Sequence, residues 1–379
     1  MQNTSNKTLH LISFDMPYPP NYGGIIDVFY KIRALHRVGV NIILHVFDHG
    51  KASSDELKEY CQQIYYYERK TGIDSQLSTL PYIVKSRRQP DLLKNLMKDD
   101  WPIFFEGLHT TYYLSHPFLK NRLKIYRESN IEHHYYWKLS LASRKIIDKV
   151  FFAVEAARLF LWQKQLSYAD LILTVSEDDS LYLRKKFPHK PVECIPSFHG
   201  NDEVTSKAGF GNFALYHGKL SVPENDQSAR FLIRKVFAGL PYRLIVAGMN
   251  PEKNLIRLAK NYPNVVVMAN PSLEEMDKLI EEAHINVLIT QQNTGLKLKL
   301  LNTLFKGRHC LVNDKMLVGT NLAQLCHVAN DKNSLKEKIT ELFQQPFSPD
   351  DIGKRIHHLN HWYSDDENTR KILDLVFKF

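Results

Sequence analysis

Lys297 and Lys299 stand two residues apart where a strand-like run gives way to a helix, within Thr290–Asn313 (TQQNTGLKLKLLNTLFKGRHCLVN). Free backbone N–H groups and the helix dipole make that end attractive to anions. Two lysines there suit a diphosphate. The competing reading is a pair of solvated surface charges, the usual state of lysine. A Gly23-Gly24 pair sits between the first strand and the first helix. Glycines there let a ligand or another loop approach the backbone, or simply make a tight turn. The acidic pairs Asp99-Asp100, Asp178-Asp179, Asp350-Asp351 and Asp365-Asp366 have the chemistry for a metal. Each lies at a helix start or in a loop, where capping or solvation explains it. No Ser-His-Asp motif or P-loop is present.

The elements that position these residues read as follows. Ile285–Ile289 is a strand, and a helix runs from about Gly295 to Lys306. Thr294 is its N-cap, Gly307 its stop, and His309–Val312 the next strand. Leu296, Leu300, Leu301, Leu304 and Phe305 form the apolar face, with Lys299, Asn302, Thr303 and Lys306 opposite. Lys297 falls inside the apolar arc and must snorkel toward the helix N-terminus. This is a strand–loop–helix unit of an open α/β sheet, which binds ligands at strand ends.

The same alternation fills the chain. Strand Leu9–Phe14, a Pro- and Gly-rich loop, helix Ile25–Val38 with Gly39 as its stop, and strand Asn41–Phe47 give βαβ order and a parallel sheet. Ser53–Lys98 reads as helical or irregular. Asn130–Tyr136, thick with His and Tyr, opens one long helical stretch to about Tyr168, and Ala169–Val175 is a strand. Pro196–Asn212 reads as a linker. A second α/β half follows, and Asp351–Phe379 is helical.

At 379 residues the length fits two domains with an extension. The formal charge of +9 favours anionic partners such as nucleotides or phospholipid surfaces. Nucleic acid rests on charge alone and is not expected. Cys61, Cys194, Cys310 and Cys326 are scattered, which fits a reducing cytosol. Neither a secretory leader nor a membrane span is read from the sequence. Arg144–Gln163, basic residues interleaved with aromatics, reads as a surface-seeking helix for an anionic membrane or as an ordinary packed helix.

Five segments in order resemble the GT-B-fold glycosyltransferases of the family 4 type, over nearly the whole chain. They are the PYPPNYGG loop, Arg127-Glu128-Ser129-Asn130-Ile131-Glu132-His133, Ala169–Glu177, Tyr216–Ser221, and Gly295–Gly307. The resemblance implies an α/β fold of two Rossmann-like domains facing across a cleft. Residues 1–198 would bind the acceptor and 199–350 the nucleotide sugar, with 351–379 crossing back to the first domain. It implies metal-independent, retaining transfer from a UDP- or GDP-sugar, with no cofactor, to a glycan or lipid-linked glycan in surface-polysaccharide assembly. The protein would be cytoplasmic, peripheral at the inner face of the plasma membrane.

Carried over residue by residue, His133 would lie near the transferred sugar, with His134 its neighbouring competitor. Gly23, Gly24, Lys219, Thr294, Gly295, Lys297, Lys299 and Asn302 would meet the donor. The family's second basic residue aligns near Asn225, which is neutral. Its two glutamates fall on Thr294 and Asn302, neither of them a carboxylate. Those losses keep a second reading open, a catalytically silent GT-B-fold scaffold.

Overall fold

Seven parallel strands build the sheet of the first unit in the order β3-β2-β1-β4-β5-β6-β7. They are β1 Thr8–Ser13, β2 Asn41–Asp48, β3 Gln63–Glu68, β4 Ile103–Glu106, β5 Lys124–Glu128, β6 Leu171–Thr174 and β7 Val192–Cys194. The computed structural model describes residues 7–20, 23–48, 54–72, 75, 78–143, 145–291 and 297–377. The chain divides into two compact units, Met1–Phe198 with Asp365–Phe379, and His199–Ser364.

The inner strands are buried on both faces, and apart from β5 (KIYRE) they read as largely apolar runs. Every residue of β1, β4, β5 and β6 is buried. Edge strand β3 (QIYYYE) breaks this rule. Only Tyr67 is buried in it, and its tyrosine-rich pattern hid a strand in a stretch expected to be helical or irregular. Helix α1 (Gly23–Arg37) follows β1 and ends at Gly39, whose φ of +81° accommodates the expected stop.

The expected single helix to Tyr168 is instead two. Helices α2 (Glu132–Ala142) and α3 (Ile146–Trp162) are separated by a turn in which Ser143 is extended. Helix α4 (Glu177–Lys186) begins at Ser176, whose hydroxyl accepts from the Asp179 N–H at 3.2 Å, so this acidic pair sits in the first turn of a helix capped by Ser176.

A buried charge network ties α1 to the sheet. Lys31 Nζ donates to Asp27 Oδ2 at 3.2 Å and to Glu106 Oε1 at 2.6 Å. Arg127 Nη2 donates to Asp27 Oδ1 at 3.2 Å, and its Nη1 to the Ile195 carbonyl at 2.6 Å. The Phe198 N–H closes on Asp27 Oδ1 at 2.7 Å. Burial opposes charge on Asp27, but Arg127 and Lys31 outweigh it and hold its pKa below the ordinary value.

The second unit has six parallel strands in the order β10-β9-β8-β11-β12-β13. They are β8 Phe213–His217, β9 Arg243–Gly248, β10 Val265–Ala269, β11 Ile285–Leu288, β12 His309–Val312 and β13 His327–Val328. Its longer helices are α5 Pro223–Phe231, α6 Lys253–Ala259, α7 Leu273–Glu282, α8 Leu298–Lys306, α9 Lys332–Leu342 and α10 Pro349–Trp362. Buried Arg355 on α10 donates to Ser206 Oγ at 2.9 Å and to the Leu304 carbonyl at 3.2 Å, anchoring α10 to the end of α8.

Helix α10 therefore belongs to the second unit, which corrects the returning segment expected from Asp351. The segment that returns to the first unit begins at Asp365, with α11 (Asp365–Phe377). Ile372 and Val376 of α11 share an apolar cluster with Leu35 of α1, and Arg37 meets Asp366 at 2.5 Å.

Candidate functional site

In both sheets the strand order reverses beside the first strand of the unit, between β1 and β4 and between β8 and β11. Ligands of open α/β sheets bind outside the carboxyl ends of strands at such a point. In the second unit, β8 ends at His217 and turns through Gly218-Lys219 into α5. Strand β11 continues through buried Ile289 and Thr290, and residues 297 onward lead into α8.

These two strand ends are knitted together. The Gln291 N–H donates to Glu224 Oε1 at 2.7 Å, and the Thr290 hydroxyl donates to the same oxygen. Asn313 brackets Thr290, accepting from its N–H at 3.1 Å and donating to its carbonyl at 2.7 Å. His217 Nε2 meets Thr303 Oγ1 at 3.2 Å, fixing α8 to β8. Burial first, then the charge of Lys299, pushes the His217 pKa down to about 3, so its ring is neutral.

Lys299 is half-buried on α8. Its Nζ is 5.6 Å from the centroid of the Tyr216 ring. Burial lowers its pKa to about 8, against the pull of Glu224 and with the push of Lys297. No hydrogen-bond partner for this ammonium lies among the described residues. Lys297 occupies the N-cap position and makes no side-chain cap, and in the first turn of α8 the Leu300 N–H closes on the Lys297 carbonyl at 2.7 Å. A cation half withdrawn from water beside a helix start is a receptor for an anion.

The opposite reading of the helix faces is thus corrected. Leu300, Leu301, Leu304 and Phe305 are buried as expected, but so is Thr303. The face expected to be polar meets the end of β8, and Lys299 goes with it. Asn302 Nδ2 donates to Asp277 Oδ1 on α7 at 3.4 Å, and Lys306 joins the same carboxylate at 2.6 Å. Thr294 and Gly295 lie outside the described residues, as does Leu296, and α8 begins at Leu298. Asn225, at the position of a missing basic residue, serves the backbone. It donates to the Lys219 carbonyl at 3.0 Å, and its own carbonyl accepts from Tyr216 Oη at 3.2 Å.

Gly248 sets the height of this loop. A Cβ there would stand 1.8 Å from the Gly218 carbonyl oxygen and 2.9 Å from its carbon. Gly248→Ala must push the Gly218-Lys219 turn aside. We expect it to cost about 1–3 kcal/mol and to weaken nucleotide binding, read by thermal melting and by titration of the same samples.

In the first unit, Gly23 and Gly24 are the first residues of α1. A Cβ on Gly24 would meet Phe14 Cζ at 2.7 Å, whereas Gly23 faces open space. The near neighbour at Gly24 is therefore a side chain of this unit. Phe14 stacks on His109 with centroids 5.1 Å apart, and its carbonyl accepts from Arg87 Nε at 2.8 Å.

His133 lies in the first turn of α2, its ring 4.3 Å from that of His134 and its Nε2 3.4 Å from Tyr182 Oη. Its Nδ1 is buried without a hydrogen-bond partner. Burial, then His134 and Lys186, lower its pKa to about 4. It enters any reaction as a neutral ring, able to accept a hydrogen bond. His134 is exposed.

Behind His133 lies a set of buried acids. Both Glu128 oxygens lack hydrogen-bond partners, and burial, then Glu132 and Asp179, raise its pKa well above the ordinary value. Burial raises Glu132 to about 8, against the pull of Arg87. A carboxyl whose folded pKa is raised stabilises fully below its unfolded pKa of about 4.3 and loses that contribution as pH climbs toward 8. Stability is expected to fall between those limits, and Glu132→Gln to flatten the fall, measured by denaturant titration across the range.

Sequence reading missed Glu224 and Thr290 in the second unit and Arg87 and His109 in the first. Glu224 had one available signal, an acid one residue past Pro223 at a helix start.

The two all-parallel sheets with reversing strand order are the GT-B fold, and comparison with solved structures agrees. Sucrose-phosphate synthase from Thermosynechococcus elongatus superposes with a TM-score of 0.70 at 14% identity over 98% of both chains. TarM gives 0.70 at 10% identity over the whole of both. HepE from Anabaena, solved with UDP and glucose, gives 0.64 at 10% identity over 99% of this chain and all of its own. These similarities establish the fold. No family model matches the chain. In sequence it is similar to an uncharacterized 44.6 kDa protein in the cps region of Klebsiella pneumoniae, 24% identical over 97% of this chain and 98% of that one.

Proposed function

We propose that this protein is a glycosyltransferase of polysaccharide biosynthesis, moving a sugar from a nucleotide-sugar donor to a glycan or lipid-linked glycan. The observation that carries this is Lys299, a half-buried ammonium without a hydrogen-bond partner among the described residues, at the switch point of the second sheet. A diphosphate there takes the Lys299 charge and the N–H groups of the first turn of α8. Lys219, on the turn after β8, approaches from the other strand end. As the glycosidic bond breaks, negative charge grows on the leaving diphosphate, and these preorganised donors stabilise it most when it is greatest. The chemistry thus needs no metal, and the first unit holds the acceptor, with His133 accepting a hydrogen bond from a sugar hydroxyl. Retention of configuration carries over from the family resemblance, and a UDP-linked donor is favoured by the neighbours solved with UDP.

The experiment is product analysis with UDP- and GDP-sugars and a lipid-linked oligosaccharide, with and without a chelator. Transfer from one donor class, indifferent to chelation, supports the reading. Binding of a donor with neither transfer nor hydrolysis to any acceptor would replace it with the silent scaffold.

A further inference from the structure

The hairpin of α2 and α3 hides one side and exposes the other. On the inner side Ser140 Oγ donates to the Lys149 carbonyl at 2.8 Å, and Tyr136 meets Phe152 edge-on at 6.0 Å. On the outer side Trp137 and Leu141 of α2 and Ile146, Ile147, Val150 and Val154 of α3 are exposed. Ile147 and Ile146, at 82% and 78%, are the two most exposed large apolar side chains among the described residues. Their spacing matters. Trp137 and Leu141 are one turn apart, and Ile147, Val150 and Val154 follow one helical face. Scattered surface apolar residues need no explanation, but six on two successive helices do.

The charge around this set is mostly positive, with exposed Asp148 the exception. Between His133 and Tyr168 the chain has six Lys or Arg against two acidic residues, Asp148 and Glu155. Glu155 is buried and neutralised by Arg158 at 2.6 Å. Lys145 and Lys149 flank the two isoleucines and are exposed. A face between protein copies is depleted in lysine at its core, whereas an interfacial helix pairs an apolar face with lysines and tryptophan. No helix among the described residues is long and apolar enough to cross a membrane, so such a hairpin would lie at a surface.

We propose that the α2–α3 hairpin docks on an anionic phospholipid bilayer, seating Trp137, Leu141, Ile146 and Ile147 among the acyl chains and Lys145 and Lys149 against headgroup phosphates. This deepens the proposed function and rests on it for purpose. The hairpin starts one residue before His133, so docking would bring the acceptor side of the first unit to the surface where a lipid-linked acceptor lies.

The test is flotation of the full chain with vesicles of phosphatidylcholine alone and of phosphatidylcholine with phosphatidylglycerol. Binding to the anionic vesicles only, reduced by salt, is expected. Ile146→Ser with Ile147→Ser should weaken it about tenfold or more, and Lys145→Glu with Lys149→Glu comparably. Trp137 emission should move to the blue on binding, and Trp137→Phe should remove that change. Both double substitutions are at exposed positions, and unchanged thermal melting and nucleotide binding would show that the fold and the donor site are intact. No flotation with anionic vesicles, or flotation indifferent to the isoleucine pair, overturns the proposal. A concentration-dependent dimer abolished by Ile146→Ser with Ile147→Ser would assign the face to a second copy instead. Lys299→Met should leave flotation unchanged, so failure of the donor site and failure of the docking surface are read separately.

Discussion

Lys299→Met is expected to weaken binding of a nucleoside diphosphate by about 10- to 100-fold, the worth of one charge-assisted hydrogen bond. The wild-type chain saturated at 100 times the dissociation constant should gain about 2.7 kcal/mol of stability, and the variant should lose most of that gain at the same ligand concentration. The ligand-free variant should melt no lower than wild type. In the free protein burial works against the Lys299 charge, holding its pKa at about 8, and methionine takes the same place near the Tyr216 ring without a charge to desolvate. Reduced affinity with undiminished stability separates a binding role from damage to the fold.

The same lysine makes binding depend on pH with a definite sign. Below a pH of about 8 the ammonium is already charged and affinity is level. Above it, the diphosphate must recruit a proton to Lys299, so affinity falls by up to about tenfold per pH unit. Calorimetry in buffers of different ionisation enthalpy would detect that proton uptake. In Lys299→Met the alkaline fall should vanish. A wild-type affinity level through pH 9, or a variant that keeps the fall, would remove Lys299 from the site.

Asp27→Ala is the substitution expected to cost most stability, about 3–5 kcal/mol, because it strands buried charge. Asp27 accepts from Lys31, Arg127 and the Phe198 N–H, and all three side chains are nearly or fully buried. Without it, Arg127 and Lys31 are left with Glu106 as a shared neighbouring acid, and burial has already raised the Glu106 pKa despite Lys31. Asp27→Asn keeps the volume and one acceptor and should cost less. Urea denaturation should show the loss in the transition of the first unit, while nucleotide binding by the second keeps its dissociation constant. An Asp27→Ala chain as stable as wild type would show that the network balances to nothing.

The order of strands and helices was largely written in local sequence. A parallel sheet covered on both faces demands unbroken apolar strands, so LHLISF, NIILHVF and ADLILT announce themselves. Gly39 marks the end of α1 because a positive φ there is cheap only for glycine. Edge strand β3 was not legible, since an edge lacks one neighbour and half its burial pattern. The break between α2 and α3 was equally hidden, because both sides of it keep helical composition.

The site was legible in part. Sequence drew attention to Lys219, Lys297 and Lys299, to Gly23-Gly24 and to His133. It misjudged Thr303 on the polar face of α8, because a helical wheel shows which residues share a face and not what that face meets. Only the tertiary structure could decide that the end of β8 covers that face, that Glu224 binds Thr290 and Gln291 across 66 or more residues of chain, and that α10 stays with the second unit. Those outcomes depend on burial against distant strands, which sets the pKa of a lysine and the partner of a carboxylate and leaves no periodic trace in the residues themselves.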